Sequence, residues 1–155
     1  AEGAARHGVR TVLLRFGMVL GRQGGALAKM LPLFRLGLGG VLGDGKQWMS
    51  WIALDDVVGA ILHALVHERL QGPVNVVAPG AVTNADFTRI LAEVLRRPAV
   101  IPVRAWALHL AFGEMAGEVL LASTRVEPRR LLESGFVFQQ PELEPALRSL
   151  LVRGP

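Results

Sequence analysis

An α/β fold is the class this sequence predicts, and two observations carry it. Segments of strand character alternate with segments whose apolar residues recur at helical spacing. The first strand candidate, "GVRTVLLRFGMVLG" at residues 8–21, is a continuous apolar run rich in Val and Leu, the pattern of a strand covered on both faces.

That first strand ends in Gly17 and Gly21, where the backbone must turn. "GGALAKMLPLFRLG" follows with helical spacing, and Pro32 inside it predicts a kink or an early end. "QWMSWIAL" is aromatic and apolar and reads as a strand. Asp55 and Asp56 then open "DDVVGAILHALVHERL", where first-turn aspartates are expected to cap free amides, and Gly59 suggests close packing. "GPVNVVAP" is a short strand. "TNADFTRILAEVLRR" begins with Thr83 three residues before Asp86, close to a capping box. "AVIPV" reads as a strand, and "WALHLAFGEMAGEVLLAS" as a helix broken near Gly113 or Gly117. "EPRRLLESG" is a helical turn stopped by Gly135. "FVFQ" reads as a small strand, and "PELEPALRSLL" as a helix with Pro141 at its first position.

The chain has 155 residues, enough for a real core, and 51% of them are hydrophobic. Its mean hydropathy of +0.38 is high, yet no stretch reaches the ~18 uninterrupted apolar residues of a membrane span. An apolar surface kept for another domain or subunit is therefore expected. The opening "AEGAARHGVR" lacks the apolar centre of a signal peptide and resembles the tail of a helix entering a strand, as if the chain began in mid-fold. There is no cysteine, so disulfide and thiolate chemistry are excluded and a cytoplasmic setting is expected. Basic residues outnumber acidic ones, 17 to 13, but they are scattered rather than clustered, so nucleic acid is not expected as a partner.

"GVLGDGK" at 40–46 fits G-x-x-x-x-G-K, the phosphate-cradling loop. That loop needs Ser or Thr after its lysine to hold Mg²⁺, and it must follow a strand and open a helix. Here Gln47 follows, a strand comes after and a helix before, so the phosphate reading fails. No serine sits in G-x-S-x-G. His63 and His67 are spaced i, i+4 on a helix without a third metal ligand in sequence, and read as a solvent-side rim. Trp48 and Trp51 are taken as a same-face pair, either core or the wall of a pocket beside Gln47. Residue chemistry alone thus points to a substrate-binding or interaction domain without a visible catalytic group.

At "VLLRFGMVLG", "GDGKQWMSWIALDDVVGAI" and "PVNVVAPGAVTNADFTRIL" the chain resembles the C-terminal half of extended short-chain dehydrogenase/reductases, the NAD-dependent epimerase/dehydratase superfamily. "TNADFTR" and "RVEPRRLLESGFVF" resemble one branch in particular, the epimerase family proteins. The resemblance implies the C-terminal part of a Rossmann-type parallel sheet plus a small α/β substrate-binding domain, with NAD(P) as cofactor bound mainly by an N-terminal half. It implies that Phe16, Gly17 and Met18 lie at the nicotinamide, and that Met18, Gln47, Trp48, Met49 and Trp51 line the substrate side. Arg15 closes the strand. Met18 and Met49 stand where sugar-nucleotide enzymes usually carry Asn and Arg, so two polar handles are replaced by apolar groups. The family's glycine-rich fingerprint and its Tyr-x-x-x-Lys pair belong ahead of the first strand, and the sequence has no tyrosine.

Two functions follow. The chain is the substrate-binding portion of an NAD(P)-dependent oxidoreductase or epimerase, catalytically incompetent by itself and completed by a missing N-terminal Rossmann half or a second subunit. Alternatively it is a non-catalytic interaction module that pairs with itself as a homodimer or with another protein. A small-molecule substrate is the expected ligand; neither nucleic acid nor membrane is.

Overall fold

The computed structural model describes residue 3, residues 6–99 and residues 123–152. All of the expected strand "AVIPV" but Ala99, and all of the broken helix "WALHLAFGEMAGEVLLAS" but Ser123, lie outside the described residues.

The apolar run at 8–21 forms two strands, β1 (Val12–Phe16) and β2 (Met18–Leu20), with Gly17 between them. β1 pairs in parallel with β5 (Gly72–Val76), Phe16 opposite Val76. β2 changes partner and pairs in parallel with β4 (Trp51–Ala53), Met18 opposite Trp51. A short β3 (Trp48–Met49) runs antiparallel to β6 (Val82–Thr83). The parallel pairing agrees with the α/β expectation. The expectation that β1 is covered on both faces does not hold: Leu13 and Phe16 are 43% and 48% exposed.

Helix α1 (Gly25–Arg35) passes through Pro32 and ends one turn later. Helix α2 (Leu54–Val66) begins one residue before the aspartates, with Ala53 as its cap residue and no side-chain cap. The capping role expected of Asp55 and Asp56 is therefore corrected. Their charges still favour the positive end of the helix, but wholly buried Asp56 accepts backbone N–H groups from Gln139 at 2.7 Å and Gln140 at 3.0 Å. The other end of α2 is held by Arg10, whose guanidinium donates to the carbonyls of Ala64, Leu65 and Leu70 at 2.9–3.0 Å. Helix α3 (Asn84–Leu95) has the predicted cap: the Thr83 hydroxyl accepts from the Asp86 amide at 3.1 Å and donates to its carboxylate at 2.7 Å.

Helix α4 (Arg129–Glu133) is followed by Gly135 at φ +79°, as its stop signal predicts. No strand forms at "FVFQ". Phe136 and Phe138 instead make an edge-to-face pair, with centroids 4.8 Å apart, against the sheet side of the molecule. Gly59 packs closely, but against a ring rather than a helix: a Cβ there would lie 3.4 Å from Phe136. Helix α5 (Leu143–Leu151) starts after Glu142, so Pro141 precedes the cap instead of opening the helix.

Two cores result. One joins Leu20, Trp51 and Phe87 with the inner faces of α1, α3 and α5. The other joins Ile52, Val74 and Val76 with α2 and α4 through Ala60 and Leu131. Adjacent residues of β4, Trp51 and Ile52, point to opposite cores, as the two-residue period of a strand requires. Among the described residues no helix is long and apolar enough to cross a membrane.

Candidate functional site

The fork between β1 and β2 organises the site. Up to Gly17 the chain follows β5, the Gly17 amide donating to Val76 at 3.4 Å; the next amide, Met18, donates to the Ser50 carbonyl at 2.8 Å. A Cβ on Gly17 would come within 2.5 Å of that carbonyl oxygen and 2.8 Å of Val77. Glycine is thus required by the crossing of two chain segments. The fork lies at the carboxyl ends of β1 and β5 and at the amino ends of β2 and β4; the carboxyl edge of parallel strands is where open α/β sheets bind ligands. Phe16 projects there half-exposed, and Met18 is half-buried against the first core.

Ser50 ties the fork to a distant segment. Its side chain, nearly buried, donates to the Thr124 carbonyl at 2.7 Å and accepts the Val126 amide at 2.9 Å. The Thr124 amide donates to the Trp48 carbonyl at 3.0 Å, and the Trp48 amide to the Ser123 hydroxyl at 3.1 Å. Residues 123–126 are thereby laced along residues 48–50. Exposed Arg125 is carried over the half-buried Trp48 ring, its Cζ 4.3 Å from the centroid.

The glycine loop before β3 is held from inside. Wholly buried Asn84 accepts the Leu42 amide at 2.8 Å and places its own NH₂ 3.5 Å from the Met49 sulfur. The Gln47 side-chain NH₂ donates to the Leu42 carbonyl at 3.0 Å. Gly45 bonds Leu42, and the Lys46 amide donates to Asp44. The amides of Leu42, Gly45 and Lys46 are thus engaged within the loop and its helix. Gly45, at φ +72°, has no room for a side chain: a Cβ would sit 2.5 Å from Val41.

Met49 and Trp51 lie inside the first core, away from the open surface. Trp51 is fully buried, its indole N–H donating to Gly80 at 2.7 Å, and Met49 is 7% exposed in the same core. Trp48 and Trp51 belong to different strands and do not share a face. Phe16, Gly17, Met18, Gln47 and Trp48 remain close to the fork and its connected loop. The sequence reading missed Ser50, Asn84 and Arg125. Asn84 carried a signal, a polar residue at a helix start that is also the first residue of the helix; Ser50 and Arg125 depend on contacts between remote segments.

Elsewhere, His63 stacks on His67 with centroids 5.0 Å apart, and its Nε2 is 2.8 Å from the Ser134 hydroxyl. Burial, and then the neighbouring His67, hold the His63 pKa below its ordinary value. Among the described residues no three His or carboxylate groups gather as a metal site.

An α/β protein whose parallel strand pairs meet at a fork is the class these features define. Comparison with known proteins places it further. The profile of the NAD dependent epimerase/dehydratase family matches residues 2–78, and that of a domain of unknown function, DUF1731, matches residues 103–150. An epimerase family protein of Mycobacterium leprae is 42% identical over 90% of this chain and 46% of its own length. The crystal structure of the human epimerase family protein SDR39U1 with NADPH is 42% identical, with a TM-score of 0.85 over 92% of this chain and 48% of that one. The nucleoside-diphosphate sugar epimerase of Corynebacterium glutamicum is 33% identical, with a TM-score of 0.73 over 97% of this chain and 28% of that one. The chain belongs to the NAD-dependent epimerase/dehydratase family of extended short-chain dehydrogenase/reductases. It spans about half the length of the curated relatives it matches.

Proposed function

We propose that the chain is the substrate-binding portion of an NAD(P)-dependent oxidoreductase resembling sugar-nucleotide epimerases, and that it does no catalysis alone. The observation that carries this is the fork at Gly17, where the parallel-strand edge expected to face a dinucleotide adjoins the Trp48 loop expected to face a substrate. The residues present suit NAD(P): an exposed Phe16 ring offers apolar contact at the carboxyl edge, beside a glycine that keeps the backbone low. When bound, NAD(P) would supply hydride transfer. Phe16, Gly17 and Met18 would wall its nicotinamide end, and Met18, Gln47 and Trp48 would border the substrate.

Most of the cofactor contacts belong in this proposal to an N-terminal half, which would also supply the acid/base tyrosine that the 155 residues lack. A cysteine-free chain suits a reducing cytoplasmic setting. The test is a fusion of this chain to the N-terminal half of the Mycobacterium leprae relative, read by NADPH fluorescence. The fusion should bind NADPH and this chain alone should not, and Phe16→Ala should weaken binding in the fusion. Equal binding by the isolated chain would contradict the division of labour.

One observation favours a second reading, a self-association module. Helix α2 exposes Leu54, Val58, Ile61, Leu62 and Leu65, an apolar stripe at helical spacing. A monodisperse dimer of the chain in sedimentation, unchanged by NADPH, would support that reading. Aggregation relieved by the fused N-terminal half would support the enzyme portion.

A further inference from the structure

We propose that Arg125, held over Trp48, is the group by which this site recognises an anionic substrate, through a phosphate or carboxylate it carries. The proposal rests on the reading of the Trp48 region as a substrate site and adds the chemistry of its ligand.

Position and preparation carry the inference. A guanidinium stacked on an aromatic ring is fixed in direction, while its in-plane N–H groups stay available for two parallel bonds to a carboxylate or phosphate. The contact at Trp48 is of this kind, with Cζ 4.3 Å from the ring centroid. The backbone on both sides of Arg125 is pinned by one hydroxyl, since Ser50 Oγ donates to Thr124 and accepts from Val126. A preorganised arginine loses less freedom on binding than a mobile one. Among the described residues no carboxylate pairs with Arg125; the ion pairs there belong to Arg89 and Arg148.

Placement adds to this. Met49 is buried, so β3 itself offers no cation; Arg125 brings a positive charge to that strand from a remote segment, over the neighbouring residue Trp48.

The experiment follows the Trp48 indole N–H and Arg125 Nε–H signals by ¹⁵N NMR during titration without nucleotide. Inorganic pyrophosphate is the probe in one arm and malonate in the other. A saturable shift of both signals is expected; a stronger response to pyrophosphate assigns a phosphate-bearing substrate, and to malonate a carboxylate. Arg125→Gln should weaken the preferred anion roughly tenfold to a hundredfold, and Arg125→Lys should restore only part of the loss. Trp48→Phe, which keeps an aromatic face, should retain most of the affinity. No saturable shift with either anion, or unchanged affinity in Arg125→Gln, would overturn the proposal. Because NAD(P) is absent throughout, such a failure leaves the cofactor reading standing, and a failure of NADPH binding in the fusion leaves the anion result standing.

Discussion

The carboxylate of Asp56, with no exposed surface, accepts the backbone amide of Gln139 at 2.7 Å while its other oxygen takes Gln140 at 3.0 Å. An element read as a helix cap thus fastens the segment between α4 and α5 to the start of α2. Asp56→Ala leaves two amides without their acceptor and an empty space behind them. It should lower stability by about 1–3 kcal/mol, measured by urea unfolding, and should deprotect the Gln139 and Gln140 amides in hydrogen exchange. The neighbouring Asp55→Ala, on an exposed side chain, should change stability by only about 0.5 kcal/mol.

Gly17→Ala should be costlier than its single added methyl suggests. The new carbon would meet the Ser50 carbonyl oxygen at 2.5 Å, and both partners are backbone-constrained. Overpacking of this kind costs about 1–3 kcal/mol. The Met18–Ser50 hydrogen bond should lengthen, which an amide chemical shift at Met18 would show. Gly24→Ala, where a Cβ meets nothing within 4 Å, is the control.

The two strand tryptophans should separate stability from binding. Trp51→Phe removes the bond to Gly80 and opens a gap in the core, so melting should fall by the equivalent of about 1–3 kcal/mol. Trp48→Ala, at a half-exposed position, should cost about 1 kcal/mol or less in stability and should weaken ligand binding in the fused protein. Equal losses of stability from both variants would make Trp48 a core residue.

His63 gives a pH signature. Burial and then its neighbour His67 lower its pKa from the ordinary 6.5. The unfolded chain therefore takes up a proton at a higher pH than the folded chain does. Stability contributed by neutral His63 is fully present above the unfolded value and declines as pH falls through 6.5 towards the folded one. Denaturation midpoints should fall over that interval, and His63→Gln should flatten the dependence. A wild-type midpoint constant across the interval would contradict the assignment.

Local signals made much of the fold legible. Thr83 and Asp86 announced α3, Gly135 the end of α4, and the apolar run at 8–21 strand structure, though it divides at Gly17 into β1 and β2. Misreadings arose where tertiary partners decided. Asp56 fits a cap by position, but backbone amides from residues 139 and 140 claim it. Phe136 and Phe138 alternate like strand residues, yet pack edge-to-face without a ladder. Trp48 and Trp51 read as one aromatic pair, although β3 and β4 are separate strands with different partners. At the site, Gly17 and Trp48 were visible as residue types, whereas Ser50 and Arg125 acquire their roles through a segment distant in sequence.

The most direct test of the central claim is the intact mass of the polypeptide isolated from its native source, with any co-purifying nucleotide released and identified. A mass about twice the 16.7 kDa of these 155 residues, accompanied by NAD(P), is the predicted result. A 16.7 kDa polypeptide, stably folded and free of nucleotide, would contradict the account and make the chain an interaction module.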